Sequence, residues 1–270
     1  MNDAPPDWFT LAARTLSDPQ NQRVWSVIVS VFGDLAQGDG DTLSGGALTR
    51  IMMPMGLKPD AIRVALHRLR KDSWIESMRR GRTSRHFLTA FGRAQSAGVT
   101  PRIYDRNPET PKSWHVLIAD EATGQSTLDD LLLSADYVSV GRNAALGHGA
   151  IPDNCDDLLV LNVTALSVPE WLRNRLCPPD LRRACAQLLA DVEHVLALHP
   201  APHTLTPSQV ATLRALIVHR WRRVVLRHPN LPADYFPPDW PEATCRARVF
   251  ELLDLLPRPA LDQLETDGAS

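Results

Sequence analysis

Apolar residues recur along the first ninety positions with two different periods. From Arg23 to Ala36, the run RVWSVIVSVFGDLA sets Val24, Val27/Ile28, Val31 and Leu35 on one face at helical spacing. The stretch GDGD (Gly38 to Asp41) predicts a turn, and Ser44 is an N-cap candidate for a second helix. In that helix Leu48, Ile51, Met52 and Met55 follow the i, i+3, i+4, i+7 pattern until Gly56 breaks it. A third helix opens with Pro59, tolerated in a first turn because its missing N–H would have no partner there. Ile62, Ala65/Leu66 and Leu69 form its buried stripe, which turns Arg63, His67 and Arg70 outwards. After Asp72 the period drops to two: Trp74, Glu76 and Met78 alternate with Ile75 and Ser77, and RHFLTA resumes β-type composition beyond the turn Arg80 to Ser84. This predicts a hairpin, closed by a short helix capped by Thr89.

Beyond it, Thr100 to Lys112 holds three prolines and several charges and predicts a linker. WHVLIA (Trp114 to Ala119), DYVSVG and DLLVLNVTAL predict strands, with helices at Ser126 to Leu133 and at PEWLRNRL; this order predicts a small ferredoxin-like unit. The remainder is helical. Leu181, Cys185, Leu188, Val192 and Val195 line one face of Asp180 to Leu198. Thr206-Pro207-Ser208-Gln209 combines a capping box with Pro at the first position, and Val210, Leu213, Ile217 and Trp221 follow on one face. His228 to Pro241 holds five prolines and predicts extended loop before a last helix, about Glu242 to Leu256. The expected fold class is α+β: an N-terminal extension (1–21), a winged helix-turn-helix (22–105), a ferredoxin-like α+β unit (112–178), a C-terminal helical domain for ligand and dimer contacts (179–258) and a disordered tail (259–270).

Composition narrows the function. The chain has 270 residues, 44% of them hydrophobic, with no apolar run near the eighteen residues of a membrane span. Its first residues carry neither the basic nor the apolar region of a signal peptide, and the four scattered cysteines contain no CxxC pair, so a cytoplasmic protein is expected. Charge is unevenly spread. From Lys58 to Arg93, ten Lys/Arg face three Asp/Glu, a local balance of +7 in a chain of −2 overall. The rest therefore sums to −9, which points to one nucleic-acid-binding lobe and one that avoids nucleic acid.

A winged helix reads DNA by laying its third helix in the major groove while the hairpin touches the backbone or minor groove. Arg63, His67 and Arg70 supply long donors on the outer face, with Arg68 at its boundary and Lys71 placed for a phosphate. Arg79, Arg80, Arg82 and Arg85, around Gly81, suit phosphate oxygens or a narrow minor groove. The partner so implied is duplex DNA.

The run MGLKPDAIRVALHRLRKDSWIESMRRGRTSRHFLTAFGR resembles the DNA-binding domain of the PaaX-type repressors of phenylacetate catabolism. The family pattern is matched at Arg63, Ala65, Leu66, Arg68, Leu69, Trp74, Gly81, Leu88, Thr89, Gly92 and Arg93. RIYD before the strand at Trp114, and LIVHRWRRVVLRHPNLPADYFPPDWP, continue the likeness, which covers roughly residues 22 to 255. It departs at Ser73, where the family has Gly, and at His228, where the family has Asp. The resemblance implies a homodimeric, non-enzymatic repressor that holds operator DNA and releases it on binding an aryl-CoA thioester, typically phenylacetyl-CoA; no cofactor is expected.

Other signals are weaker. The cluster His219, Arg220, Trp221, Arg222 and Arg223 offers the cations and stacking surface that a CoA thioester needs, or else forms an internal ion-pair network. In GRNAALGHG (Gly141 to Gly149), Arg142 stands beside glycines that can approach a phosphate, although the run also reads as an ordinary connection. His194, His199, His203 and Cys185 do not share one metal-binding face. Alternatives to the ligand-released repressor are a DNA-binding factor without inducer and a metal-dependent nuclease, the latter from Asp120 and Glu121 after the first ferredoxin-like strand. A two-lobe reading further expects a chain ending near Asp105 to keep its fold and weak DNA binding.

Overall fold

The computed structural model describes residues 7–81, 83–109, 113–120, 122–134, 136–163, 167–199, 205–228, 231 and 235–267, without the side chain of Arg80. The chain divides into two compact units. One comprises residues 1–104, 185–223 and 242–270; the other comprises 105–184 and 224–241.

The first unit begins with a helix absent from the sequence reading, α1 (Trp8–Leu16), whose N-terminus is capped by Asp7 accepting from the Thr10 N–H at 2.8 Å. Then come α2 (Val24–Leu35), β1 (Leu43–Ser44) and α3 (Gly45–Met52). Ser44 Oγ accepts from the Ala47 N–H at 3.0 Å, and a single 3₁₀ turn, Met53–Met55, ends at Gly56 with φ +80°, where a side chain would be strained. Next is α4 (Pro59–Lys71), buried along Ile62, Ala65, Leu66 and Leu69. Strands β2 (Ile75–Arg80) and β3 (Thr83–Leu88) pair antiparallel down to Arg80↔Thr83, and Gly81, at φ +63°, follows β2. With β1 they form a three-stranded sheet in the order β1-β3-β2.

The closing helix α5 (Ala90–Tyr104) runs through the stretch expected to be a linker, with Pro101 inside it. Tertiary bonds hold that last turn despite the lost donor. The Trp221 indole donates to the Ile103 carbonyl at 2.9 Å, and the Tyr104 hydroxyl donates to Asp34 at 2.7 Å.

The helical tail belongs largely to this same unit rather than to a separate domain. It contains most of α8 (Pro179–Ala197) and α9 (Pro207–Val225), then α10 (Glu242–Asp254) and α11 (Leu261–Thr266). The capping box before α9 is closed from both sides: Gln209 accepts from the Thr206 N–H and Thr206 Oγ1 from the Gln209 N–H. From Ala211 to Trp221 every residue of α9 is buried, so this stretch has no solvent face. The expected disordered tail is α11 over residues 261–266. Leu264 is fully buried, Glu265 accepts from the Ser44 N–H at 2.7 Å, and Arg50 donates to the Leu264 carbonyl at 2.6 Å.

The fold of this unit depends on residues far apart in the chain. Asp34, on the buried face of α2, is 0% exposed and is held bidentately by Arg214 of α9 at 2.8 Å, with Arg258 at 3.1 Å. A chain ending near Asp105 keeps the carboxylate and loses both guanidiniums, so the expectation of a self-sufficient N-terminal domain is withdrawn.

The second unit is a four-stranded antiparallel sheet, β5-β6-β4-β7, from β4 (Trp114–Ala119), β5 (Tyr137–Ser139), β6 (Ala144–His148) and β7 (Leu158–Val163). A helix, α6 (Gln125–Leu132), joins β4 to β5, and α7 (Glu170–Leu176) follows β7. The strand alternation serves two cores. Leu117, Ala119, Tyr137 and Ala145 pack with Leu128 on one side, while Trp114, Val116 and Leu146 pack with Leu172, Leu176, Tyr235 and Phe236 on the other. The glycine-bearing run read as a connection is therefore mostly strand β6. A Cβ on Gly147 would stand 2.2 Å from the Tyr137 ring, so the glycine serves packing there. All four cysteines are buried. No helix among the described residues is long and apolar enough to cross a membrane.

Candidate nucleic-acid interface

With its apolar stripe packed inward, α4 leaves Arg63, His67, Arg68, Arg70 and Lys71 exposed. Among the described residues Arg63 pairs with Asp60 one turn earlier, both side chains largely in solvent, and such pairs are weak. Arg68 reaches Asp72 at 3.5 Å and lies 5.8 Å over the Trp25 ring. Val64, 69% exposed between these cations, is an apolar group that nothing in the fold requires outside. Sequence pattern could have flagged it as the aliphatic residue off the buried stripe.

The hairpin is tied to this helix by a polar chain. Arg70 Nη1 donates to Ser77 Oγ at 3.3 Å, and Ser77 Oγ lies 2.7 Å from His86 Nδ1. Burial, and then the Arg70 charge, lower the His86 pKa, which keeps the ring neutral in this chain. Arg79 on β2 is exposed. Arg85 is turned back into the fold: it donates to Thr42 Oγ1 at 2.9 Å and lies 3.8 Å from Glu265 of α11, so it braces the strand with only 26% of its side chain exposed. Arg82 and the Arg80 side chain lie outside the described residues.

The cluster on α9 is dispersed by burial. Trp221 is 0% exposed, donates to the Ile103 carbonyl and carries the Arg246 guanidinium 4.9 Å from its ring centre, so it offers no free stacking face. His219 is buried with Nδ1 3.1 Å from Ser30 Oγ; desolvation and then Arg222 push its pKa down to about 4. Arg220 pairs with Asp191 at 2.7 Å and Arg223 with Asp18 at 3.2 Å. The internal network thus takes His219, Arg220, Trp221 and Arg223. Arg222 differs: its described hydrogen bond is to the Ser30 hydroxyl at 3.2 Å, and burial lowers its pKa. Arg142 belongs to the other unit, at the turn between β5 and β6.

The sequence reading missed Asp34 and Arg214. The available signal was a carboxylate seven residues after Val27 and three after Val31, on the apolar face of α2. Of the residues weighed for metal chemistry, Asp120 accepts from the Ala122 N–H, Cys185 is fully buried, and Glu121 and His203 lie outside the described residues. Among the described residues no group of three or more His, Cys, Asp or Glu is placed to hold a metal ion.

Comparison with known proteins bears on both ends of the chain. Residues 23–92 match the PaaX-like protein family, and residues 179–265 match the PaaX-like protein C-terminal domain. The chain is similar to the transcriptional repressor PaaX of Escherichia coli (strain K12), 27% identical over 90% of this chain and 83% of that protein. Its fold is similar to that of the uncharacterized protein Rv0674 from Mycobacterium tuberculosis, with a TM-score of 0.52 at 20% identity, over 89% of this chain and 97% of the other.

Proposed function

Because this chain belongs to the PaaX-like family, we propose that it is a DNA-binding transcriptional repressor, not an enzyme, and that α2 to β3 act as a winged helix-turn-helix. The observation that carries this reading is the outer face of α4. Arg63, His67, Arg70 and Lys71 stand in solvent without a buried partner, on a helix whose opposite face is fully used in packing.

In the proposed complex α4 lies in the major groove. Arg63 donates two hydrogen bonds to a guanine edge, Val64 packs on a thymine methyl, and Arg68 and Lys71 meet phosphates. Arg79 follows the backbone from the hairpin, with Arg80 and Arg82 assigned to the same contact. The sheet of the second unit is proposed to be a ferredoxin-like module without a helix between β6 and β7, and the repressor to act as a homodimer. Its proposed effector is an aryl-CoA thioester such as phenylacetyl-CoA, on the strength of the family resemblance, with Arg142 offered as a phosphate contact.

Selection from a randomised duplex pool with the purified full chain tests this. The expected outcome is an enriched sequence with two half-sites about 10 base pairs apart, or a multiple of that. Recovery of no sequence above the starting pool would overturn the reading.

A further inference from the structure

Of the four arginines on α9 up to Arg223, three have a carboxylate within 4 Å: Arg214 has Asp34, Arg220 has Asp191 and Arg223 has Asp18. Arg222 has none among the described residues, and one hydroxyl contact leaves most of its five donors unused. A half-buried guanidinium without a counter-ion is costly, and a fold rarely retains one without a purpose.

Arg222 lines a cavity of about 230 Å³ inside the first unit, walled by α2, α5, α9 and Trp74. The walls are mostly apolar: Val29, Val99, Ile103 and Val218. The same cavity is lined by Ser96, which is 6% exposed and whose hydroxyl makes no hydrogen bond among the described residues. A half-buried cation and a buried hydroxyl with no hydrogen bond among the described residues therefore share one mostly apolar cavity.

Volume limits what fits. A cavity of about 150 Å³ takes a benzene ring, whereas drug-sized ligands occupy about 300–1,000 Å³. The chamber is large enough for one ring, or about six aliphatic carbons, together with a small polar head. Charge limits it too. One guanidinium offsets one negative charge and matches a carboxylate through its planar fork; a phosphate dianion would bring a second, uncompensated charge into apolar surroundings.

We propose that this cavity is a binding site for a small aryl or alkyl monocarboxylate, its carboxylate held by Arg222 and the Ser96 hydroxyl and its apolar body against Val29, Val99 and Val218. Ser30 keeps Arg222 in place: its hydroxyl donates to the Ser26 carbonyl and accepts from Arg222. Trp74 makes the site consequential, because it is the last of the three residues between the end of α4 and the start of β2, and its amide donates to the Leu69 carbonyl. A ligand pressing on Trp74 shifts the helix and hairpin proposed to read DNA, so the regulatory step rests on that reading while the binding step does not.

Calorimetry on the full chain with benzoate, 3-phenylpropanoate and hexanoate, each beside its carboxamide, tests the binding. At least one acid should bind saturably, tenfold or more tightly than its amide, and Arg222→Met should remove that preference. Gly33 lines the cavity, and a Cβ there meets nothing within 4 Å, so Gly33→Leu should fill the space, leave the chain folded and abolish binding. Absence of binding by every acid, equal binding of acid and amide, or unchanged affinity in Gly33→Leu would overturn the site. These titrations contain no DNA, so their failure and the failure of the repressor reading are separate results. With binding established, a saturating acid that left affinity for the selected duplex unchanged would overturn the role of Trp74.

Discussion

Helices α4 and α9 are both rich in arginine, yet they use it in opposite ways. On α4 the guanidiniums stand in water, their ion pairs among the described residues made with carboxylates one turn away, and the charge is available to a partner. On α9 residues 211–221 are all buried, and the cations are held by internal acceptors: Asp34, Asp191, Asp18 and several carbonyls, with only the Ser30 hydroxyl for the half-buried Arg222. The density of basic residues is similar in the two segments, and what separates them is burial. Burial turns the same side chain from a recognition group into a cross-link, because a desolvated guanidinium left unpaired costs far more than one in solvent.

The contrast can be broken most sharply at Arg214. Arg214→Met leaves the buried Asp34 carboxylate with Tyr104 and Arg258 alone, and should cost about 3–5 kcal/mol in urea unfolding, the penalty of breaking a buried pair. A loss below 1 kcal/mol would show that α9 is not cross-linked in the way its geometry describes.

A second effect, of up to about 3 kcal/mol, comes from pH. Folded His219 is held neutral down to about pH 4, whereas an ordinary histidine takes up its proton near 6.5. The unfolded chain therefore binds the extra proton between these values, so stability is full above pH 6.5 and falls as pH drops towards 4. His86 and His115, also lowered by burial, act in the same direction. His219→Gln should flatten this slope in thermal melts taken from pH 7 to pH 4.5.

On α4 the expectation reverses. Arg63→Ala should leave stability within about 0.5 kcal/mol, yet cost about 1–3 kcal/mol at the selected duplex and relax specificity at one base pair. Equal losses on selected and random DNA would reassign Arg63 to phosphate. The smallest change is expected at Arg79→Ala: a uniform weakening across sequences, with the salt dependence of binding reduced by about one unit. Anisotropy titrations at several salt concentrations read both.

How much was legible in the sequence follows the same divide. The stripe of α4, the alternation of β2 and the capping box at Thr206 are set by neighbours along the chain, and periodicity found them. Strand β6 escaped because Ala-Ala-Leu-Gly-His carries no β-branched residue; its place in the sheet is decided by β4 and β5 on either side and by the Tyr137 ring over Gly147. The helical path of Thr100 to Tyr104 and the ordering of α11 depend on partners more than a hundred residues away, which no local pattern encodes. The outward arginines of α4 were equally visible, while the inward turn of Arg85 depends on Thr42 and Glu265. The solitary state of Arg222 emerges only once the carboxylates of its neighbours are located.

The Asp34–Arg214 link also sets a schedule for synthesis. The two residues are 180 positions apart, so at about 5–20 residues per second a ribosome needs about 10–35 s after making the carboxylate to supply its cation. Arg258 and Glu265 arrive later still. Until then Asp34 lies without the two guanidiniums that hold it in the folded unit.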